Sequence, residues 1–267
     1  MNQVVSVYFS PTHTCKRTVQ AFCKGTGLPV QEYDLTCPSG REVPVVLPED
    51  ALVVLCAPVY GGHTVKLFMN ELQKVHGNGQ PAVIISVYGN RHCDLALLDL
   101  YTAAVSCGLR PFAWGLFIGE HSFTSRIQTG RPNEEDLNTA VEFGKECVQK
   151  YTEESVLKEE DIPQRPVDYG MIGMHGQRLG HLTPNRPVPA DNCVQCGICA
   201  SVCPLGLINP KDSNDIQENC MKCGACVKAC PHQAMCFPQE DFRIVQEDCI
   251  QEFGSDEHVP EYYISVA

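Results

Sequence analysis

The chain has 267 residues, a formal net charge of −12 and 17 cysteines. That length gives room for one ordinary domain, whose core takes on the order of 100 to 150 residues, plus a small one. The acidic balance excludes nucleic acid as a partner, because phosphate binding needs clustered Lys and Arg. It fits either steered docking onto a basic patch of a redox partner or plain solubility. The start, Met1 to Phe9, lacks the cationic and apolar stretches of a signal peptide, and no apolar run approaches the roughly 18 residues of a membrane span. A soluble, cytoplasmic protein in a reducing interior is expected.

Val4 to Phe9 reads as a strand that passes through Ser10, Thr12, His13, Thr14, Cys15 and Lys16 into a helix with apolar Val19, Phe22 and Cys23. A hydroxyl-rich loop feeding a helix N-terminus is either an anion site or a plain cap for its own helix. Val30 to Leu35 reads as a second strand. Ala51 to Ala57 is a third, with the continuous apolar character of a strand buried on both faces. It ends at a turn, Pro58-Val59-Tyr60-Gly61-Gly62, before a helix carrying Val65, Phe68, Met69 and Leu72. Ala82 to Val87 is the fourth strand, stopped by Tyr88, Gly89 and Asn90; a helix then runs to a C-cap at Gly108, and Pro111 to Ile118 is the fifth. Asn133 caps a last helix with Leu137, Val141, Gly144, Val148 and Tyr151 on one face. Five strands alternating with helices predict a doubly wound parallel α/β sheet over residues 1–152, with ligands beyond the C-terminal strand ends.

Residues 153–190 shift to Pro and charge and read as a long connector, with Tyr169 and the Met residues packing along a domain surface and His175 and His181 on the outside. Residues 191–237 hold the strongest signal. C-V-Q-C-G-I-C-A-S-V-C-P is followed after fifteen residues by C-M-K-C-G-A-C-V-K-A-C-P. Each half wraps three thiols around one corner of an iron-sulfur cube and sends the fourth to the other cube. The expected ligand sets are Cys193, Cys196, Cys199 and Cys230 for one [4Fe-4S] cluster, and Cys220, Cys223, Cys226 and Cys203 for the second. A disulfide framework needs an oxidising compartment, and zinc ribbons lack the third Cys of each knuckle. Eight ligands leave nine cysteines, scattered singly and expected as small core residues. Residues 238–267 are acidic up to a β-like run at Tyr262 to Val266; this tail either folds back onto a domain or covers a cluster.

The cysteine segment resembles the bacterial two-cluster ferredoxins, which implies a small pseudo-twofold α+β module that carries electrons. The first loop, the Pro58–Gly62 segment, Val87-Tyr88-Gly89-Asn90-Arg91 and Ile118-Gly119-Glu120-His121-Ser122 together resemble a flavodoxin-like domain of the kind fused to such ferredoxins in bacteria. The resemblance implies an anaerobe-type electron-transfer flavoprotein with FMN. Its phosphate site would be Ser10, Thr12 and Thr14 with the backbone of His13, Cys15 and Lys16. Tyr60 and Tyr88 would stack on the ring, flanked by Pro58, Val59 and Arg91, with Gly61, Gly62, Gly89 and Asn90 allowing close backbone approach. Glu120 and His121 are either proton donors at the flavin edge or a solvated loop. Two alternatives stand beside the relay: an FMN-dependent reductase of a small organic acceptor fed by the clusters, and a flavin-free ferredoxin on the same scaffold. No dinucleotide fingerprint accompanies them.

Overall fold

The structure is a computed structural model and describes residues 1–164 and 186–266. Five parallel strands form its main sheet: β1 (Gln3–Tyr8), β2 (Val30–Asp34), β3 (Ala51–Tyr60), then, after a two-residue β4 (His63–Thr64), β5 (Pro81–Tyr88) and β6 (Arg110–Ile118). Their spatial order is β2-β1-β3-β5-β6. This is the flavodoxin-like doubly wound order, in which the chain reverses direction between β1 and β3.

The period of two along the strands sorts side chains to opposite faces. Val5, Val7 and Phe9 join one core with Val53, Leu55 and Ile84, whereas Val4 and Tyr8 join the other with Leu52, Val54 and Ile85. The first core is closed by α2 (Lys66–Leu72) and α3 (Ala96–Ser106) through Phe68, Leu72, Leu97 and Leu100. The second is closed by α1 (Thr14–Thr26) and α4 (Glu134–Lys150) through Val19, Phe22, Phe143 and Cys147. α4 starts at a reciprocal cap in which Asn133 accepts from the Asp136 amide at 3.0 Å and Asp136 accepts from the Asn133 amide at 2.8 Å.

Three stretches differ from the sequence expectation. Pro58 to Tyr60 is strand rather than turn, because Val59 and Tyr60 pair with Thr64 and His63; the turn is confined to Gly61 and Gly62. In the connector, Leu157 and Ile162 are buried in the first core, and Asp161 accepts from the Trp114 indole at 2.7 Å, so 155–162 belong to the sheet domain. At the connector's other end, β7 (Val188–Pro189) pairs with β10 (Met235–Cys236) of the cysteine module. Tyr169, His175 and His181 lie outside the described residues.

The third difference is the tail. Residues 240–253 form a helix, α7 (Glu240–Phe253), and β11 (Glu261–Ile264) then pairs antiparallel with β6. The helix buries Val245 and Cys249 against Ile127 and Phe123 of the loop between β6 and α4. Tyr262 stacks on Phe143 at 4.6 Å between centroids, and Tyr263 on Trp114 at 6.1 Å. Among the described residues, neither cavity ringed by the paired cysteines has a lining residue beyond Phe237. The tail therefore folds back onto the sheet domain, and Phe242 of α7 also stacks at 4.2 Å on Phe237 in the wall of the Cys203 cavity.

The cysteine module is a near-duplicate. α5 (Ile198–Ser201) and α6 (Ala225–Lys228) each follow a left-handed glycine, Gly197 at φ 76° and Gly224 at φ 74°. Gln195 and Lys222, at equivalent places before them, also have positive φ, 55° and 57°. The hairpin of β8 (Ile208–Asn209) and β9 (Asp212–Ile216) joins the halves.

The second half docks on the sheet domain. Lys228 donates to Glu120 Oε1 at 2.6 Å and to the His121 carbonyl at 2.7 Å. A Cβ on Gly224 would stand 2.4 Å from the Ser122 carbonyl oxygen, so only glycine permits this approach. On the other flank Arg41 donates to the Pro204 carbonyl at 2.6 Å, while also holding the carbonyls of Leu35 and Thr36.

Two outcomes follow from these contacts. Lys228→Met removes a partly buried charge partner, worth roughly 1.5 kcal/mol, and is expected to speed amide exchange over residues 119–131 about tenfold, read by hydrogen–deuterium exchange. Tyr263→Ala removes the ring that covers the single tryptophan. Trp114 fluorescence is expected to shift to the red with about 1 kcal/mol lost in chemical denaturation.

Candidate functional site

Two cavities, each ringed by four thiols, lie inside the cysteine module. One is lined by Cys203, Cys220, Cys223 and Cys226, with Leu205, Leu207, Ile208, Ile216 and Met221 as apolar wall. The other is lined by Cys193, Cys196, Cys199 and Cys230, with Ile198, Ser213 and Met235. Sequence spacing divided the eight cysteines in the same way. All the described cysteines are free thiols. Among the described residues no three His, Cys, Asp or Glu side chains gather as they would on a single metal ion; these thiols surround spaces.

The electrostatics of the thiols suit a cationic core. Burial pushes Cys223 up to about 12, its neighbours Cys220 and Cys203 adding to the effect, and burial raises Cys226 and Cys220 as well. Packed this way, four thiolates repel one another unless positive charge sits among them, which the iron of a cubane supplies. Backbone donors also point at sulfur in matched positions: the Leu207 amide to Cys203 at 3.4 Å and the Ala234 amide to Cys230 at 3.2 Å, each four residues on. For Cys230, burial acts upward but the amides of Ala234, Met235, His232 and Gln233 outweigh it, and its acidity rises. Such donors stabilise anionic sulfur and tune a cluster's potential.

A third cavity lies beyond the C-terminal ends of β1, β3, β5 and β6. Its walls are Thr12, Thr14, Pro58, Val59, Tyr60, Tyr88 and Gly89 from the expected set, together with Val87, Gly119, Glu120, His121 and Ser122. The remaining expected residues do not line it. Ser10 is buried and its hydroxyl accepts from the Lys16 amide at 2.9 Å, which caps α1 from within the loop. Cys15 is fully buried in the second core, so its backbone alone faces the loop. His13 sits at φ 64°, a left-handed position that favours glycine and that histidine tolerates. Lys16 stands 3.8 Å from Asp34.

The third loop divides: Tyr88 and Gly89 line the cavity, whereas Asn90 and Arg91 are held elsewhere. Asn90 is fully buried and donates to the carbonyls of Phe253 and Asp256 at 2.6 and 2.9 Å, while Gln128 donates to its Oδ1 at 2.8 Å. It fastens the end of α7. Arg91 is paired with Asp94. Gly89 lines the cavity, and its lack of a Cβ also makes room for His121, whose ring such an atom would approach to 2.8 Å. The ring of Tyr88 has His258 against it edge-on at 5.8 Å.

Glu120 and His121 are half-buried, and each is engaged by neighbours. Glu120 takes the Lys228 ammonium on one oxygen and the Gly130 amide, at 2.8 Å, on the other. The Phe123 amide donates to His121 Nδ1 at 3.2 Å, which leaves the ring proton on Nε2. Burial, and then Lys228, lower His121 to about 4, so it is neutral near pH 7. Burial also raises Tyr60, with the Cys223 and Cys15 thiols adding to the effect, and this tyrosine lines the third cavity. Spacing could not reveal these joints, because Lys228 lies 108 residues from Glu120 and Phe253 lies 163 from Asn90.

The residues at the third cavity suit a phosphate: Thr12 and Thr14 stand beside the first turn of α1, whose Thr14 and Cys15 amides have no partner within the helix, that of Lys16 being held by Ser10. The space is smaller than a three-ring group needs, about 50 Å³ against roughly 300 Å³ for a typical ligand pocket. A ring between Tyr60 and Tyr88 therefore requires residues 119–122 to move outward, and Lys228 ties that loop to the cysteine module.

A family model described as a 4Fe-4S dicluster domain matches residues 183–235. No curated protein matches the chain. Among solved structures, a flavodoxin from the domain Archaea is 12% identical, covering 55% of this chain and 97% of its own, at a TM-score of 0.37. A short-chain flavodoxin associated with a non-canonical PDU bacterial microcompartment is 16% identical, covering 56% and 98%, at 0.40. The flavodoxin of Streptococcus pneumoniae is 17% identical, covering 56% and 99%, at 0.40. The strand order carries the fold by itself. No helix among the described residues is long and apolar enough to cross a membrane. An iron-sulfur domain of the 4Fe-4S type beside a flavodoxin-like sheet makes electron transfer the general role of this chain.

Proposed function

We propose that the chain is an iron-sulfur flavoprotein that relays electrons between two [4Fe-4S] clusters and FMN. Cys193, Cys196, Cys199 and Cys230 hold one cluster, and Cys203, Cys220, Cys223 and Cys226 the other. The observation that carries the reading is the shared wall between centres: Gly224, in the second thiol loop, packs on Ser122, which lines the third cavity. In that cavity Thr12, Thr14 and the first-turn amides of α1 hold the phosphate, and Tyr60 and Tyr88 flank the ring. Bound FMN supplies a two-electron, two-proton acceptor next to one-electron clusters. Neutral His121 contributes an Nε2–H donor at the cavity wall, while Glu120 and Lys228 fix the loop that carries it.

A second reading is favoured by the cavity of about 50 Å³: the clusters ride on a flavin-free scaffold, and the sheet domain only presents them to partners.

Cofactor content of anaerobically purified protein separates the two. About eight iron and eight sulfide per chain with one FMN are expected for the relay. Eight iron with no flavin, even after FMN is added back, selects the scaffold; about four iron, or zinc, sinks the two-cluster reading. A second outcome concerns the phosphate loop alone. Thr14→Val is expected to weaken FMN binding roughly tenfold, as loss of one hydrogen bond to a charged group implies, measured by quenching of flavin fluorescence with the iron content unchanged.

A further inference from the structure

The two thiol cavities are near-duplicates in conformation but not in surroundings. The Cys203 cavity is turned inward. Its flanks are the Arg41 contact to Pro204 and the Lys228 contact to Glu120, and Met221 in its wall packs on the first core of the sheet domain. Two of its four cysteines, Cys223 and Cys226, are buried.

The Cys193 cavity is turned to solvent. Cys196 is exposed, and beside it Val194 and Ile198 stand 59% and 37% exposed, although both line the cavity. Apolar side chains at that exposure, directly over a buried prosthetic site, form a small contact surface. Around it the charge is mainly negative. Asp191 precedes Cys193 by two residues, and Asp212 and Asp215 flank the lining residue Ser213 on the same short strand, all three exposed, against the single cation Lys211 on this stretch. A four-thiolate cluster adds roughly −2 more. Apolar centre with acidic rim is the complement of a redox protein whose own centre opens through an apolar edge rimmed by Lys or Arg.

We infer that the Cys193/Cys196/Cys199/Cys230 site is the chain's external port, where a basic one-electron redox protein docks over Val194 and Ile198, and that the Cys203/Cys220/Cys223/Cys226 site is the internal one. The inference rests on the two-cluster reading and is independent of whether FMN is bound. At the port one electron crosses per encounter: the cluster is oxidised by one and the partner's metal reduced by one, or the reverse, with no bond made and no proton moved.

The test uses the full-length, cluster-loaded protein, reduced with dithionite, freed of excess reagent and mixed with ferric cytochrome c as a basic one-electron probe. The variant V194K/I198K changes two side chains that already face solvent. Its transfer rate to cytochrome c is expected to fall about tenfold or more, with the iron content and the rate of cluster reduction by dithionite unchanged. V43K/V46K introduces the same charge on residues each 59% exposed, in the segment between β2 and β3 that lines neither thiol cavity; it is expected to keep the unaltered rate. Carbodiimide coupling to cytochrome c is expected to join its lysines to Asp191, Asp212 or Asp215, located by peptide mass spectrometry. An unchanged rate in V194K/I198K, an equal fall in V43K/V46K, or coupling confined to carboxylates such as Glu134 and Glu135 of α4 overturns the port. Iron near four in the unaltered protein overturns the two-cluster reading instead, and is measured before any mixing.

Discussion

The apolar cluster at the centre of the cysteine module has five buried members among the described residues, and two of them are thiols: Cys199 and Cys226 beside Ile208, Ile216 and Met235. A core of that size does not hold some fifty residues in place through apolar burial alone. What the module has instead is eight sulfurs directed at two interior spaces, several of them held against ionisation by burial. A positively charged inorganic core resolves both shortages, because it converts reluctant thiols into ligands and crosslinks segments far apart in sequence. Small metal-dependent domains in general couple their folding to metal uptake in this way.

The sheet domain has no such dependence. Its two cores are conventional, closed by helices on each face. The junction is where the two kinds of stability meet. Lys228, Gly224 and Arg41 fasten the inward thiol loops to the strand-end loops at 35–41 and 119–122. Two of these contacts, those of Lys228 and Gly224, fall on Glu120, His121 and Ser122 in the wall of the cavity beyond β1 and β3.

Much of this was legible in the sequence, and the reasons differ from element to element. Ala51 to Ala57 announces a two-faced buried strand because parallel sheets need continuous apolar runs, and Asn133 announces α4 because a cap is chemically local. The cysteines carry their own geometry in their spacing. The roles of Asn90 and Gly89 were not legible. Both match the expected cofactor loop, yet one fastens Phe253 and Asp256 and the other also makes room for His121. Such contacts are fixed by chain return, not by neighbours in sequence. α7 left a readable trace in Phe242, Val245 and Cys249, spaced as one helical face, but the surrounding acidic residues made the stretch look like a tail. The edge strand at Glu261 to Ile264 pairs across about 150 residues, and nothing local distinguishes it from any short β-like run.

That strand makes the iron-sulfur module an insertion within the sheet rather than an appendage to it. During synthesis β6 emerges well before its neighbour β11 and presents an open edge of amides and carbonyls, the kind of template on which chains mispair. The edge is closed only after the thiol loops have been made and the chain has returned past them. A molecule whose thiol module has not organised holds its last strand on a long, slack tether, which raises the entropy cost of closing the sheet. On the proposed reading, loading of the thiol module would shorten that tether before the edge is closed.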